Sequence, residues 1–321
     1  MRLNTLKKRV AKKSKAVVLF GPTAVGKTGM TEALFSRSAE IINADSVQVY
    51  RGLDIGSAKP DERLRKLIKH HLVDIRNPWE QYTAGDFARD AEVLIPEIES
   101  RGKLPLITGG TGYYIKQLVY GPSSAPQSDA AVREQVKREI EEKGSAWAFQ
   151  YLSLIDPISA SRIEPNDIYR ISRAIEVYRT SGKALSSYAV SSSPRDDIDF
   201  VLICLVRDKS ELVERIEKRV DIMFEMGLYD EIKKLFRAGA DSSWPAMHAI
   251  GYKEFIDAAC SGEASIRTIR DDIIRASVQY AKRQMTFFRS FATCRFFHPD
   301  DLDGIASYLK LRDICLDSFN A

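Results

Sequence analysis

Residues that commonly bind metals or form disulfides are scarce in this sequence. The 321 residues include only four cysteines and four histidines. The cysteines lie far apart without a Cys-x-x-Cys pair, which argues against a zinc ribbon or a disulfide framework and fits a reducing cytoplasm; they are Cys204, Cys260, Cys294 and Cys315. The histidines show no metal-binding spacing, so we expect structural or capping roles for His70, His71, His248 and His298.

Long apolar runs are also absent, and so are acidic residues at the start of the chain. No window approaches the roughly 18 apolar residues of a membrane helix. Residues 1–15 carry seven Lys or Arg and no acid, and they lack the apolar segment of a signal peptide. We interpret them as a flexible basic arm, either solvated or touching a nucleic-acid backbone. The whole chain has net charge +4, so without those seven charges the rest carries −3. A nucleic-acid surface on the body must therefore be a local patch.

Short apolar runs indicate a sheet. The runs "KAVVLF" (15–20), "AEIINADS" (39–46) and "KLPLITGGTG" (103–112) are each followed by turn or polar residues, as expected of neighbouring parallel strands. Apolar residues at helical spacing predict a helix over 84–102, and "FVLICLV" (200–206) predicts another strand. Residues 211–291 have mostly helical patterns.

The middle of the chain has a different pattern. Residues 129–185 show helical periodicity without a convincing strand, between Pro/Ser-rich stretches at 122–128 and 186–197. We therefore predict an all-helical insertion domain at 122–196. The core then comprises residues 16–121 and 197–321.

A phosphate-binding loop follows the first run. The stretch satisfies G-x-x-x-x-G-K-[ST], a motif whose backbone N–H groups face an anion at a helix N-terminus. Its lysine supplies a point charge, and its threonine hydroxyl can ligate Mg²⁺. Such a loop implies an α/β fold with a P-loop NTPase-like parallel sheet flanked by helices. The residues are Gly21, Pro22, Thr23, Ala24, Val25, Gly26, Lys27 and Thr28.

Two further stretches should lie at the same edge of the sheet. Asp45 follows the second strand, where a carboxylate could hold Mg²⁺, cap a turn or accept a proton from a substrate. The polar stretch after it, residues 43–60, resembles a substrate wall. The third strand ends in Gly109, Gly110 and Gly112, which allow close approach of a ligand or form a tight turn; Thr111 adds a hydroxyl.

Basic residues are concentrated near the end of the helical region. Arg215 and Arg219 share a helix face, where they either pair with Glu211, Glu214 and Glu217 or direct one guanidinium to the phosphate site. Further on, basic residues alternate with aromatic ones, which indicates either a nucleic-acid surface or the core face of a helix. The basic residues are Arg267, Arg270, Arg275, Lys282, Arg283, Arg289 and Arg295, and the aromatic ones are Tyr280, Phe287, Phe288 and Phe291.

Together these motifs resemble those of the tRNA dimethylallyltransferases (isopentenyl-tRNA transferases). The likeness extends from about Val17 to Arg289, in order: "GPTAVGKT", "DSVQVYRGLDIGSAKP", "HHLVDIRNP", "GGTGYYIK", "PNDIYRISRAIEVYRTSGK", "RVDIMFEMGLYDE", "AIGYKE" and "KRQMTFFR". No Cys/His zinc finger follows Arg289, so the chain is similar to the bacterial form.

The resemblance implies an activity and roles for the residues. A dimethylallyl group would pass from dimethylallyl diphosphate to N6 of the adenine on the 3′ side of the tRNA anticodon. The loop from Gly21 to Thr28 would bind the diphosphate, with Mg²⁺ on Thr28. Thr23 and Arg219 would stabilise the leaving group, and Asp45 would take the N6 proton. The adenine would have to flip out of the anticodon-loop stack.

The resemblance also implies a tRNA-binding surface on both domains. It comprises Asp45, Ser46, Val47, Gln48, Thr111, Arg133, Tyr169, Arg170, Ile171, Ser172, Arg173, His248, Ala249, Ile250, Gly251, Tyr252, Lys253, Lys282, Arg283, Gln284 and Arg289. We expect no membrane partner and a monomer.

Three other functions share the phosphate loop. An adenylate isopentenyltransferase would prenylate free AMP, and it would need neither the helical insertion nor the basic helix. A small-molecule kinase would consume ATP. An RNA-binding protein could use the loop as a nucleotide switch.

Overall fold

One parallel sheet forms the centre of the computed structural model, which describes residues 13–122, 124–126, 129–188, 193–262 and 265–316. Its strands are β1 (Ser14–Phe20), β2 (Ala39–Asn43), β3 (His70–His71), β4 (Leu104–Gly109), β5 (Ile198–Leu205) and β6 (Arg295–Phe297). They lie in the order β3-β2-β4-β1-β5-β6, and all adjacent strands pair in parallel. The predicted α/β fold class is confirmed.

The four predicted strands are present, with boundaries that shift by a few residues; β5, for example, begins at Ile198 and not at residue 200. Strand β1 begins at Ser14, inside the stretch predicted to be a flexible arm, because Ser14 and Lys15 pair with Ile198 and Asp199 of β5. The rest of that predicted arm, residues 1–12, lies outside the described residues. Strands β3 and β6 were not predicted. They have two and three residues, which is too short for a periodic pattern.

Helices surround the sheet and form most of the remaining structure. They are α1 (Lys27–Phe35), α2 (Glu62–Leu67), α3 (Ala84–Ser100), α4 (Gly112–Tyr120), α5 (Ala130–Lys143), α6 (Ser145–Ile155), α7 (Pro157–Ala160), α8 (Ile168–Ser181), α9 (Lys209–Glu225), α10 (Leu228–Arg237), α11 (Lys253–Ser261), α12 (Ile266–Phe288) and α13 (Leu302–Leu311). Short 3₁₀ helices occupy Leu185–Ser187 and Pro245–His248. Within the described ranges, none of the helices is long and apolar enough to cross a membrane.

The chain divides into two compact units. One consists of Tyr120–Ser192, and the other consists of Met1–Val119 with Ser193–Ala321. The insertion domain was predicted at 122–196, so the two sets of boundaries differ by two and four residues. The described part of the smaller unit contains α5 to α8 and has its own apolar core, which includes Val136, Leu152, Ile171 and Ile175.

Both faces of the sheet are buried. Successive residues of β1, from Ala16 to Phe20, are all inaccessible to solvent, as expected for a parallel strand covered on both sides. One face packs against α1 through Leu34 and Phe35 and against α13 through Ile305 and Leu309. Parallel pairing places the carboxyl ends of the strands at one edge of the sheet, where open α/β folds bind ligands.

Candidate active site

The phosphate loop joins β1 to α1, as predicted. Gly26 has φ 112°, a left-handed conformation that favours glycine, and it directly precedes the first residue of α1. The side chain of Lys27 turns back over the loop, where Nζ donates hydrogen bonds to the carbonyl oxygens of Gly21 (2.9 Å) and Pro22 (2.8 Å). The lysine therefore braces the loop while its charge remains beside the anion site.

Three arginines hold the other side of this loop. Arg207 Nε donates to the Val25 carbonyl oxygen (2.8 Å), and Arg215 Nε donates to that of Ala24 (2.8 Å). Arg219 Nη1 donates to Thr23 Oγ1 (3.1 Å). The hypothesis that a guanidinium of α9 faces the phosphate site is thus supported for Arg219.

Two details of this arrangement differ from expectation. Glu211 pairs with Arg207 and not with Arg215 or Arg219. Arg207 itself was not singled out in the sequence. Its partner Val25 is 182 residues away, and no local pattern reveals such a contact.

Burial gives this cluster unusual electrostatics. Removal from water and the positive charge of Arg219 together lower the pKa of Lys27 to about 8, while Asp45 opposes the shift. Burial also lowers the pKa of Arg219, again opposed by Asp45. Two buried cations thus share one nearby carboxylate, a charge imbalance that a bound diphosphate would neutralise.

Asp45 serves as a turn cap and retains a second oxygen. Its Oδ1 accepts the backbone N–H groups of Val47 (2.9 Å) and Gln48 (3.3 Å). Within the part of the chain that the structure describes, these are its only hydrogen bonds, so Oδ2 is left for a substrate. Capping and proton acceptance, which were alternatives on sequence grounds, are compatible because they use different oxygens.

The glycines after β4 make room for the protein's own atoms and not for a ligand. A Cβ on Gly109 would lie 2.1 Å from the Ala44 carbonyl oxygen, and one on Gly112 would lie 2.5 Å from the Phe287 ring. At Gly110 the clash would be with the Gln284 amide, at 2.7 Å. The close approach expected of a ligand here is thus made by Ala44, which follows β2, and by α12.

Gln284 joins two loops at the edge of the sheet. Its Oε1 accepts the Thr23 N–H (2.9 Å), and its Nε2 donates to the Gly110 carbonyl oxygen (2.7 Å). The side chain is 5% exposed. It was predicted to face tRNA, but both ends of its amide are used inside the protein. We therefore assign it a positioning role between the phosphate loop and the loop after β4.

A buried carboxylate supports the predicted substrate wall. Glu231 of α10 accepts the backbone N–H groups of Asp54 (3.0 Å), Ile55 (2.7 Å) and Gly56 (3.2 Å). It also accepts the hydroxyl of Tyr252 (2.7 Å), whose side chain is fully buried. Tyr252, predicted to contact tRNA, therefore supports the wall from inside. Glu231 was missed in the sequence because the wall residues that it binds lie at least 175 residues away.

These parts surround one cavity of about 360 Å³. The Asp45 carboxylate, Thr23 and Arg219 lie on its wall together with Thr111 and Arg283. An apolar surface from α9 and α12 completes it, and this surface consists of Ile216, Val220, Met223 and Ile273. A proton acceptor, an anion site and a small apolar pocket therefore share one space.

The predicted tRNA-binding residues fall into separate groups in the structure. On the cavity wall are Asp45, Ser46, Val47, Thr111, His248, Ala249, Ile250, Gly251 and Arg283. Gln48 instead donates to the carbonyl oxygens of Ser57 and Ala58. Exposed elsewhere on the larger unit are Lys253, Lys282 and Arg289.

The predicted residues of the smaller unit range from exposed to fully buried. Tyr169 is 83% exposed and Arg170 is also exposed, whereas Ile171 is fully buried in the unit's core. The structure therefore removes Ile171 from the predicted surface. Arg133 is exposed and Ser172 is partly so, and Arg173 donates to the Pro126 carbonyl oxygen.

The predicted basic patch on α12 is partly neutralised. Arg270 forms ion pairs with Asp221 and Asp271, and Arg275 pairs with Asp272. The end of the helix retains exposed Lys282, Arg283 and Arg289. Of the aromatic residues, Phe288 and Phe291 pack against Phe20 in the core. The core-face interpretation is therefore correct for these two rings, and Tyr280 lies on the cavity wall.

The residues around Thr28 are compatible with Mg²⁺ bound chiefly through a substrate. Thr28 is exposed in the first turn of α1. The described residues contain no group of three His, Cys, Asp or Glu side chains that could hold a metal. Mg²⁺ commonly takes one or two protein ligands and completes its shell with phosphate oxygens and water. A single hydroxyl beside a diphosphate fits that pattern.

Comparisons with known proteins agree with this geometry. The family model described as IPP transferase matches residues 48–291. The tRNA dimethylallyltransferase 2 of Geotalea uraniireducens is 42% identical over 300 residues, which cover 92% of this chain and 96% of the relative.

Solved structures of tRNA-modifying transferases also resemble this chain. The tRNA isopentenylpyrophosphate transferase of Bacillus halodurans has a TM-score of 0.68 and 35% identity, covering 94% of this chain and 97% of that one. A eukaryotic dimethylallyltransferase acting on tRNA has a TM-score of 0.75 and 23% identity, covering 95% of this chain and 81% of that one. This match shows a similar fold. With its strand order, its phosphate loop and these matches over most of its length, the chain belongs to the IPP transferase family of tRNA dimethylallyltransferases.

Proposed function

We propose that this protein transfers a dimethylallyl group from dimethylallyl diphosphate to N6 of the adenine on the 3′ side of the tRNA anticodon. The observation that carries the proposal is the shared cavity, in which Asp45 lies on the same wall as Thr23 and Arg219. Prenyl transfer to an amine needs a proton acceptor and an anion site within reach of one small apolar pocket. All three lie around this space.

The phosphate end of the cavity would stabilise the leaving group. The bond between the allylic carbon and the diphosphate oxygen breaks, and its electron pair leaves with the diphosphate. The negative charge that develops there is stabilised by Lys27, by the Thr23–Arg219 pair and by the backbone N–H groups of the loop. When bound at Thr28, Mg²⁺ would also stabilise the negative charge on the diphosphate oxygens.

Asp45 would serve the other reactant. An exocyclic amine is a weak nucleophile because its lone pair is delocalised into the purine ring. As N6 forms its bond to carbon it becomes acidic, and Asp45 Oδ2 accepts the proton that N6 loses. Because Oδ1 is held by two backbone N–H groups, the carboxylate has a fixed orientation toward the substrate.

The apolar wall would hold the five-carbon chain. Ile216, Val220, Met223 and Ile273 offer no hydrogen bonds, so they favour a hydrocarbon over water. An apolar surface beside the phosphate site suits an allylic chain better than the polar acceptor of a small-molecule kinase. The basic end of α12, with Lys282 and Arg289 exposed, supports an RNA substrate over free AMP.

A product assay tests the proposal directly. The protein is incubated with dimethylallyl diphosphate, Mg²⁺ and unmodified tRNA, and the nucleosides are analysed by mass spectrometry. We expect prenylated adenosine in the tRNA. Transfer to AMP but not to tRNA would favour the adenylate enzyme, and ATP consumption without prenylation would favour the kinase.

The same assay tests Asp45. We predict that Asp45→Asn lowers kcat by about 10²- to 10⁴-fold, the usual contribution of a general base, while the Kd for tRNA stays nearly constant. The exposed Asp303 of α13 provides the control, since Asp303→Asn should leave both constants unchanged. Near-normal turnover of Asp45→Asn would exclude Asp45 as the proton acceptor.

A further inference from the structure

Two tryptophans on the surface of the larger unit contact each other. The ring centroids of Trp79 and Trp244 lie 5.1 Å apart, at an interplanar angle of 64°. Trp79 is 56% exposed, and Trp244 is partly exposed. In an edge-to-face pair, the edge of one ring covers only one face of the other ring. It leaves a broad aromatic surface in contact with water, which is unfavourable unless something covers it.

The pair is connected to the cavity. Trp244 directly precedes the 3₁₀ helix Pro245–His248, whose last residue, His248, lies on the cavity wall. At about 2 Å per residue in a 3₁₀ helix, Trp244 lies about 8 Å along the backbone from His248. The Ala246 N–H donates to the Pro78 carbonyl oxygen (3.2 Å), which ties the turn bearing Trp79 to the same helix.

Two arginines lie in the segments adjacent to Trp79. The Arg51 N–H donates to the Arg76 carbonyl oxygen (2.9 Å), and the exposed Arg51 guanidinium donates to Asn77 Oδ1 (3.2 Å). Arg76 places its guanidinium 5.2 Å from the centre of the Tyr82 ring. Arg76 lies three residues before Trp79 in the sequence. Arg51 contacts Asn77, which lies two residues before Trp79.

The acidic groups in the same turns are occupied by the backbone. Glu80 accepts the Asn77 N–H, and Asp241 accepts the Ser243 N–H (2.8 Å) and hydroxyl. Each carboxylate thus serves the turn that carries one of the tryptophans. The arginines remain the groups suited to a phosphate.

We propose that Trp79, supported by Trp244, stacks on an unpaired nucleobase of the anticodon loop next to the adenine that enters the cavity. The inference rests on the proposed function, and it identifies a second contact with the same RNA. Proteins bind single-stranded RNA by stacking bases on aromatic rings with basic residues on the adjacent phosphates. An open tryptophan face with Arg51 and Arg76 in adjacent segments has this composition, and its ring partner Trp244 lies about 8 Å along the backbone from His248 on the cavity wall.

The test pairs a protein variant with altered RNAs. Anticodon stem-loop RNAs are prepared with a single abasic nucleotide at each loop position other than the reacting adenine, and Kd is measured for the wild type and for Trp79→Ala. We expect Trp79→Ala to raise the Kd for intact RNA about 5- to 100-fold, as for the loss of one stacked base. For one abasic RNA the two proteins should bind alike, and that RNA identifies the stacked base.

Two further variants separate stacking from folding. Trp79→Phe keeps an aromatic face and should retain most of the affinity. Tyr229→Ala removes another exposed aromatic residue, which is 40% exposed on α10, and it should leave the Kd unchanged. The Kd for dimethylallyl diphosphate should be the same in all variants, since none of them alters the phosphate loop.

The outcomes separate this inference from the proposed function. If the wild type modifies the intact RNA but Trp79→Ala binds it equally well, the stacking platform is refuted and the proposed function stands. The same conclusion holds if Trp79→Ala weakens every abasic RNA by the same factor. If the wild-type protein neither modifies nor binds the RNA, both the stacking inference and the proposed function are overturned.

Discussion

Lys27 shows how burial prepares a single side chain for an anion. Its ammonium is surrounded by backbone carbonyls and lies near Arg219, and these surroundings lower its pKa to about 8. The neutral form is therefore accessible within the ordinary pH range when the site contains no anion. A bound diphosphate would favour the charged form, so donor binding and protonation of Lys27 should be coupled.

This coupling predicts a pH dependence of donor binding. Because the pKa of Lys27 is lowered in the free protein, the lysine is charged below about pH 8 and loses its proton above that value. A terminal phosphate, with a pKa near 6, is already ionised there. We predict that the Kd for dimethylallyl diphosphate rises above pH 8, by up to about tenfold per pH unit. Titration calorimetry in two buffers with different ionisation enthalpies should also detect proton uptake near pH 8.

Two variants identify the group responsible. Lys27→Arg introduces a side chain that stays charged over this range, so any remaining binding should lose the pH dependence. The exposed Lys282 provides the opposite control, because Lys282→Met should keep the wild-type profile. A flat profile for the wild type between about pH 7 and 10 would contradict the assignment.

At the scale of elements, α12 connects loops that are distant in sequence. Through Gln284 it touches both the phosphate loop and the turn after β4, which lie 261 and 174 residues away. One turn earlier, Tyr280 lies on the cavity wall, and its partial burial raises its pKa to about 12. A single helix face therefore sets the spacing between the anion site and the nucleobase side of the cavity.

The positioning role of Gln284 is distinguishable from a tRNA contact. We predict that Gln284→Met lowers kcat/KM for dimethylallyl diphosphate about 10- to 100-fold, because it leaves the Thr23 N–H and the Gly110 carbonyl oxygen without their partner. The Kd for tRNA should change little. Lys282→Met, two residues away and exposed, should show the reverse pattern. A variant at Gln284 that weakens tRNA binding and spares donor binding would restore the original assignment.

What could be predicted from the sequence depends on the distance between partners. The phosphate loop was predictable because its glycines, lysine and threonine occupy eight consecutive positions. Short apolar runs likewise predicted β1, β2, β4 and β5. Arg207, Glu231 and Gln284 were missed or misassigned because the loops that they bind are more than 150 residues away. A buried polar residue then resembles an exposed one in the sequence, and only the fold shows which it is.

The motif resemblance did not distinguish exposed residues from buried ones within a segment. It marked the stretches 169–173 and 248–253 as facing tRNA, but alternate residues of a helix or turn face opposite ways. Ile171 and Tyr252 point into cores, whereas Tyr169 and Lys253 are exposed. A motif therefore identified the segment, and burial selected the residues within it.

At the scale of the whole molecule, the described part of the smaller unit has an apolar cluster of its own. Val136, Leu152, Ile171 and Ile175 belong to the core of the smaller unit, whereas the sheet and its covering helices supply another. Each of these two clusters contains only residues of its own unit. Units with independent cores commonly open independently of each other.

Hydrogen exchange in the full-length protein tests this independence. We predict that Ile171→Ala, which deletes buried methyl groups, lowers the free energy of unfolding of the smaller unit by about 2–5 kcal/mol. Amides in α5, α6 and α8 should then exchange faster, while those in β1 and β4 keep their wild-type rates. Tyr169→Ala, at a position 83% exposed on the same helix, should leave all these rates nearly unchanged. Equal acceleration in β1 and β4 would instead mean that the whole chain opens as one cooperative unit, in which case the insertion could not unfold without exposing the catalytic core.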